Sequence, residues 1–208
     1  MNLEIMEFVE RQILPRYNEF GSSHGIRHAQ HVIAESLSLA DKLGADENMC
    51  YVIAAYHDLG LSGPRAIHHI TSGKILQADA RLKRWFSAEQ IKVMKEAVED
   101  HRASSSHQPR SIYGKIVAEA DRELDPETVF TRTILYSFEH YPEMNEEQHW
   151  ERFAEHMKDK YSEAGYIHLW IPNSPNKERL DTLRNIIQDK TQLRAVFNRL
   201  YSQLTSDK

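Results

Sequence analysis

Apolar residues recur at three- and four-residue spacing through most of this chain, and that spacing restricts it to packed helices. Residues 2–13 place Leu3, Met6, Val9 and Ile13 on one stripe, with Pro15 behind them. Residues 26–43 do the same with Ala29, Val32, Ile33, Leu37, Ala40 and Leu43, and Gly44 supplies a stop. Residues 47–59 are rich in Ala, Val and Ile and close at Gly60. A further helix is expected from Pro64 to about Ala80, because proline is tolerated in a first helical turn. Ser87-Ala-Glu-Gln90 has the pattern of a capping box and opens a helix to His101. A polar loop, Arg102 to Arg110, leads into a helix from about Ser111 to Arg122. Asp125-Pro126, Asn145 and Ser174-Pro175 each mark a further helix start. There is no Asn-Gly or Asp-Gly hairpin turn and no sustained alternation, so strands are not expected. Only Tyr166 to Ile171, aromatic and β-branched, reads as extended or buried loop, its aromatic segment Tyr166–Trp170 being either core or pocket wall, with core preferred. The fold class is therefore all-α.

The 208 residues suffice to bury a core without covalent staples. Cys50 is the single cysteine, which excludes an internal disulfide or a cysteine zinc cluster and fits a reducing cytoplasm. The net charge of −5 argues against a general nucleic-acid-binding face. No apolar run reaches the ~18 residues of a membrane span, so no membrane segment is expected. Acidic residues scattered through the N-terminal MNLEIMEFVERQ do not fit a secretory leader.

The chain carries 12 histidines, and eight of them fall between His24 and His107. Such clustering directs attention to an acid–base or metal site, and the spacing must say which. In His24-Gly-Ile-Arg-His28-Ala-Gln-His31, His24 and His28 share a helix face, as do His28 and His31. His57-Asp58 closes the apolar run Tyr51-Val-Ile-Ala-Ala-Tyr56, which drives the pair inward. A buried carboxylate is costly unless it is paired or holds a metal. His68-His69 and Asp100-His101-Arg102 follow. Asp121 ends the stripe Ile112, Ile116, Val117 and Ala120, a second carboxylate carried inward. Each feature alone also has an ordinary reading: surface histidines, an exposed helix end, an Asp121–Arg122 pair, or a protonated histidine suited to the helix dipole.

Taken in order, His, His-Asp, His, His and Asp on successive helices, the set resembles the HD-domain superfamily of metal-dependent phosphohydrolases over roughly residues 20–125. The resemblance implies a divalent metal (Mn²⁺, Mg²⁺, Fe²⁺ or similar) held by His28, His57, Asp58 and Asp121. His28 is preferred over His24 and His31 because Val32 and Ile33 continue from it as an apolar helix. His57-Asp58, within Ala-Tyr-His-Asp-Leu-Gly, and Asp121, within Ala-Glu-Ala-Asp-Arg, carry the likeness most closely. Some members bind a second metal through further histidines, and His68 and His101 stand where those would fall. His68 is preferred over His69 because Ser72, Gly73, Ile75 and Leu76 follow it in a small-then-apolar pattern. In one-metal members the same positions face substrate, so His68 and His101, with Asp58 as the bridging carboxylate, are the implied catalytic residues.

The expected activity is hydrolysis of a small phosphate ester, a nucleotide or related phosphate, in the cytoplasm. The metal would lower the pKa of bound water and offset phosphoryl charge. Arg102 and Lys115 are the nearest cations in sequence for gripping phosphate. No P-loop is present. Two other classes share this pattern. A di-iron oxygenase of the superfamily would use all six of His28, His57, Asp58, His68, His101 and Asp121. A non-catalytic nucleotide-binding domain would ordinarily lack a ligand. The expected organisation is an HD-type core in residues 1–125, with residues 126–208 as a helical C-terminal extension packed on it.

Overall fold

The computed structural model describes residues 1–21, 24–105 and 107–206, and no strand forms among them. The chain divides into two compact units, Met1–Arg122 and Glu123–Lys208. The first contains α1 (Leu3–Gln12), α2 (Ile26–Leu43), α3 (Glu47–Tyr56), α4 (His68–Ala78), α5 (Ala88–Asp100) and α6 (Ile112–Ala120). The second contains α7 (Pro126–His140), α8 (Glu146–Tyr161), α9 (Pro175–Gln188) and α10 (Lys190–Ser206).

Local chemistry sets most boundaries in the first unit. The Asn2 and Asp46 side chains accept from the free N–H groups opening α1 and α3, and Ser87 and Gln90 form both halves of a capping box on α5. α2 ends on Gly44 at φ 64°, a left-handed conformation that suits glycine. α3 is buried along Met49–Tyr56, so it is the central helix rather than an amphipathic one. α2, α5 and α6 pack around it, and α4 lies on α5. Val32, Ile53, Met94 and Val117 meet in the resulting core.

Two boundaries differ from the periodicity. α3 stops at Tyr56, and His57 and Asp58 lie in the turn that leads to a 3-10 helix at Leu59–Ser62. Gly60 explains the break. Its backbone meets the start of α4 so closely that a Cβ there would sit 2.1 Å from the His68 carbonyl oxygen, and its N–H donates to Ser72 Oγ at 2.8 Å. The chain leaves the helix to make that approach. Pro64 does not open α4 either. Its ψ of 123° is extended, a 3-10 turn at Arg65–Ile67 follows, and α4 begins at His68.

The second unit has its own aromatic core. Phe153 lies 5.6 Å from Phe130 and 5.3 Å from Phe197, centroid to centroid, and all three are buried. Asp125 caps α7 with Pro126 in its first turn, and Asn145 forms a capping box with Gln148 on α8. Residues 166–171 are loop, and the branched Ile167 and Ile171 are the buried members, whereas Tyr166 is exposed and Trp170 half-buried, so the aromatic residues are not the core expected of them. Among the described residues no helix is long and apolar enough to cross a membrane.

Candidate metal centre

The histidines and aspartates singled out in the sequence come together at helix ends. His28 is in the first turn of α2, His57 caps the C-terminus of α3, and Asp58 is the next residue. His68 opens α4, His101 caps the C-terminus of α5, and Asp121 caps the C-terminus of α6. Ends converge here because packed helices of nine to eighteen residues begin and stop on one side of the first unit's core. The apolar stripes behind them fix which way each end points.

Asp58 divides the cluster in two. Its Oδ2 lies 3.4 Å from His57 Nε2 and 3.6 Å from His28 Nε2. Its Oδ1 lies 3.4 Å from His68 Nε2 and 3.5 Å from His101 Nε2. Asp121 Oδ1 completes the first half, 3.1 Å from His28 Nε2 and 3.8 Å from His57 Nε2. Three overlapping groups of possible ligands follow, His24–His28–Asp58, His28–His57–Asp121 and Asp58–His68–His101, with Asp58 contacting members of each.

Backbone carbonyls orient three of the rings. His57 Nδ1 meets Ala54 O at 2.7 Å, His68 Nδ1 meets Arg65 O at 2.8 Å, and His101 Nδ1 meets Val98 O at 2.6 Å. A carbonyl can only accept, so each Nδ1 carries a hydrogen, and each ring in its neutral, metal-binding form turns an Nε2 lone pair toward the centre. His68 Nε2 and His101 Nε2 are 3.1 Å apart. Two lone pairs at that distance repel, and a cation between them and Asp58 Oδ1 removes the repulsion. The donor set of imidazole nitrogens and carboxylate oxygens therefore fits a divalent metal of borderline softness.

Charge in the cluster is strongly coupled. Burial pushes the Asp58 carboxyl up, but His57 and the close His101 and His24 rings outweigh it and hold it well below the usual range. Asp121 is lowered too, its burial outweighed by His28 and His57. Burial pulls His57 down, yet Asp58 and Asp121 together lift it to about 9. Burial and the neighbouring His101 bring His68 down to about 4. Tyr17 supports the turn from beneath, donating its hydroxyl to Ala55 O at 3.0 Å and accepting the Asp58 N–H at 3.3 Å. Arg122, also buried, donates to the His101 carbonyl at 3.0 Å and stands 3.8 Å from Asp121 Oδ2.

Two of the expected residues make no described hydrogen bond or ion pair with the cluster. Arg102 donates to the Ala66 carbonyl rather than to a cluster member. Lys115 stands six residues before Asp121 on α6, about 9 Å along the helix axis. The structure adds two residues instead. His24 Nδ1 is 2.8 Å from Asp58 Oδ2, and Arg65 Nη2 is 3.2 Å from His24 Nε2. The signal for His24 is its four-residue spacing from His28, whereas Arg65 follows a Gly-Pro turn that carries no such mark.

No curated protein matches the chain. A crystal structure of a predicted HD superfamily hydrolase from an uncultured Thermotogales bacterium shares the fold, with a TM-score of 0.51 and 17% identity over 96% of this chain and 90% of that one. Residues 25–124 match the family model of the HD domain. That span contains every cluster residue from His28 to Asp121. Through residues 25–124 the chain belongs to the HD-domain superfamily.

Proposed function

We propose that this protein is a metal-dependent phosphohydrolase acting on a small phosphate ester, a nucleotide or a related phosphate. The observation that carries the reading is the pair of opposed Nε2 lone pairs on His68 and His101, 3.1 Å apart and both facing Asp58 Oδ1. His28 and His57 face its other oxygen, and Asp121 lies beside His28, so Asp58 would be the carboxylate shared by two divalent ions. Bound metal supplies Lewis-acid activation of water and neutralisation of phosphoryl charge. The chain's own residues do the rest. Ala54, Arg65 and Val98 carbonyls lock the tautomers, so no ring must reorganise when a ligand arrives. Tyr17 and Arg122 hold the Asp58 backbone and the His101 carbonyl, so the two halves keep their spacing.

The deciding experiment is metal analysis of purified protein followed by a screen of nucleotides and generic phosphate esters. Bound Mn²⁺ or Fe²⁺ with release of inorganic phosphate is the expected result. The same six donors would also serve a di-iron oxygenase, so oxygen uptake by iron-loaded protein without phosphate release would replace the hydrolase reading.

A further inference from the structure

Arg65 is an exposed cation that no carboxylate balances: it forms no ion pair among the described residues. Its one described side-chain contact is with His24, at the solvent side of the metal centre. A guanidinium can only donate, so His24 Nε2 accepts and the His24 Nδ1–H points at Asp58 Oδ2. Arg65 thus stands two hydrogen bonds from the bridging carboxylate, with most of its five donors uncommitted.

The turn that carries it is held at two points. The Arg65 carbonyl accepts from His68 Nδ1, and the Ala66 carbonyl accepts from Arg102. One short segment therefore orients a metal-facing histidine and aims a guanidinium at the same place. Resting on the phosphohydrolase reading, we propose that Arg65 grips the substrate's phosphate and that Arg102 positions Arg65 by bracing residues 65–67. The substrate class follows from charge. Asp58 and Asp121 offset one divalent ion, so a second ion and Arg65 leave an excess that suits the dianion of a terminal phosphomonoester. A diester, with one negative charge, balances it less well. The guanidinium fork also matches two phosphate oxygens at once.

The test is calorimetric binding of inorganic phosphate to Mn²⁺-loaded protein, with metal content measured on each sample. Arg65→Gln should weaken phosphate binding about tenfold or more with Mn²⁺ content unchanged. Arg65→Lys should recover part of it, because the charge remains but the fork is lost. Arg102→Gln should weaken it by a smaller factor. Phenyl phosphate should compete with inorganic phosphate, and diphenyl phosphate should not. Unchanged phosphate binding in Arg65→Gln overturns the proposal while leaving the hydrolase reading in place. So does loss of Mn²⁺ from that variant, which would make Arg65 a support for the metal ligands. Equal competition by the diester overturns the substrate class. Wild-type protein that binds Mn²⁺ but no phosphate defeats the hydrolase reading itself.

Discussion

His68 and His101 face each other through Nε2 atoms 3.1 Å apart, and each has already given its Nδ1 hydrogen to a carbonyl. The contact is unfavourable between neutral rings and favourable around a cation. Asp58 Oδ1 completes that half of the centre, while its Oδ2 faces His28 and His57.

The two-sided placement of Asp58 gives a testable stoichiometry. Wild-type protein should hold about two divalent ions per chain, as two-metal sites do. The His68→Ala, His101→Ala double variant should fall to one, and Asp58→Ala should lose both. Inductively coupled plasma analysis after desalting reads this directly. One ion in the wild type, retained by the double variant, would assign His68 and His101 to substrate alone.

His28 and His24 differ in reach. His28 Nε2 lies within 3.6 Å of His57, Asp58 and Asp121, whereas His24 meets Asp58 and Arg65. His28→Ala should therefore abolish most metal binding. His24→Ala should cost about tenfold in metal affinity, the scale of an outer partner. A greater loss at His24, seen by titration with Mn²⁺, would reverse the assignment.

Gly60 has no room for a side chain, since a Cβ would lie 2.1 Å from the His68 carbonyl oxygen and 2.7 Å from the Ser72 nitrogen. Both neighbours are backbone and cannot rotate away. Gly60→Ala should destabilise the chain by at least the ~1–3 kcal/mol of an overpacked core. It should also displace the start of α4, so the ion at His68 and His101 is lost before the one at His28 and His57. Thermal melts with metal counts test both parts, and a variant that retains stability and two ions would refute them.

The second unit should respond to acid through His156. Burial, with Lys160 and Arg152 nearby, lowers this imidazole to about 4. The folded state thus favours the neutral ring. Its contribution is complete above the unfolded value of about 6.5 and declines as pH falls from there toward 4. Melting temperature should drop across that window, and His156→Leu should flatten this part of the profile. An identical slope in the variant would place the acid sensitivity elsewhere.

Periodicity and capping are local properties, so the sequence alone determines the all-α class and the starts of α1, α3, α5, α7 and α8, each opened by its own Asn, Asp or Ser side chain. It also marks His57, Asp58 and Asp121 as polar residues driven inward, because each ends an apolar stripe. Tertiary packing decided the rest. α3 ends at Tyr56 because Gly60 must meet the α4 backbone, a contact between segments that the helical period of 47–59 does not encode. His24 enters the cluster through Asp58, thirty-four residues away, and Arg65 through His24, forty-one away. Arg102, adjacent to His101 in sequence, directs one of its donors to the Ala66 carbonyl. Side-chain hydrogen bonds reach only about 3 Å, so their partners are chosen by which helix ends the core brings side by side.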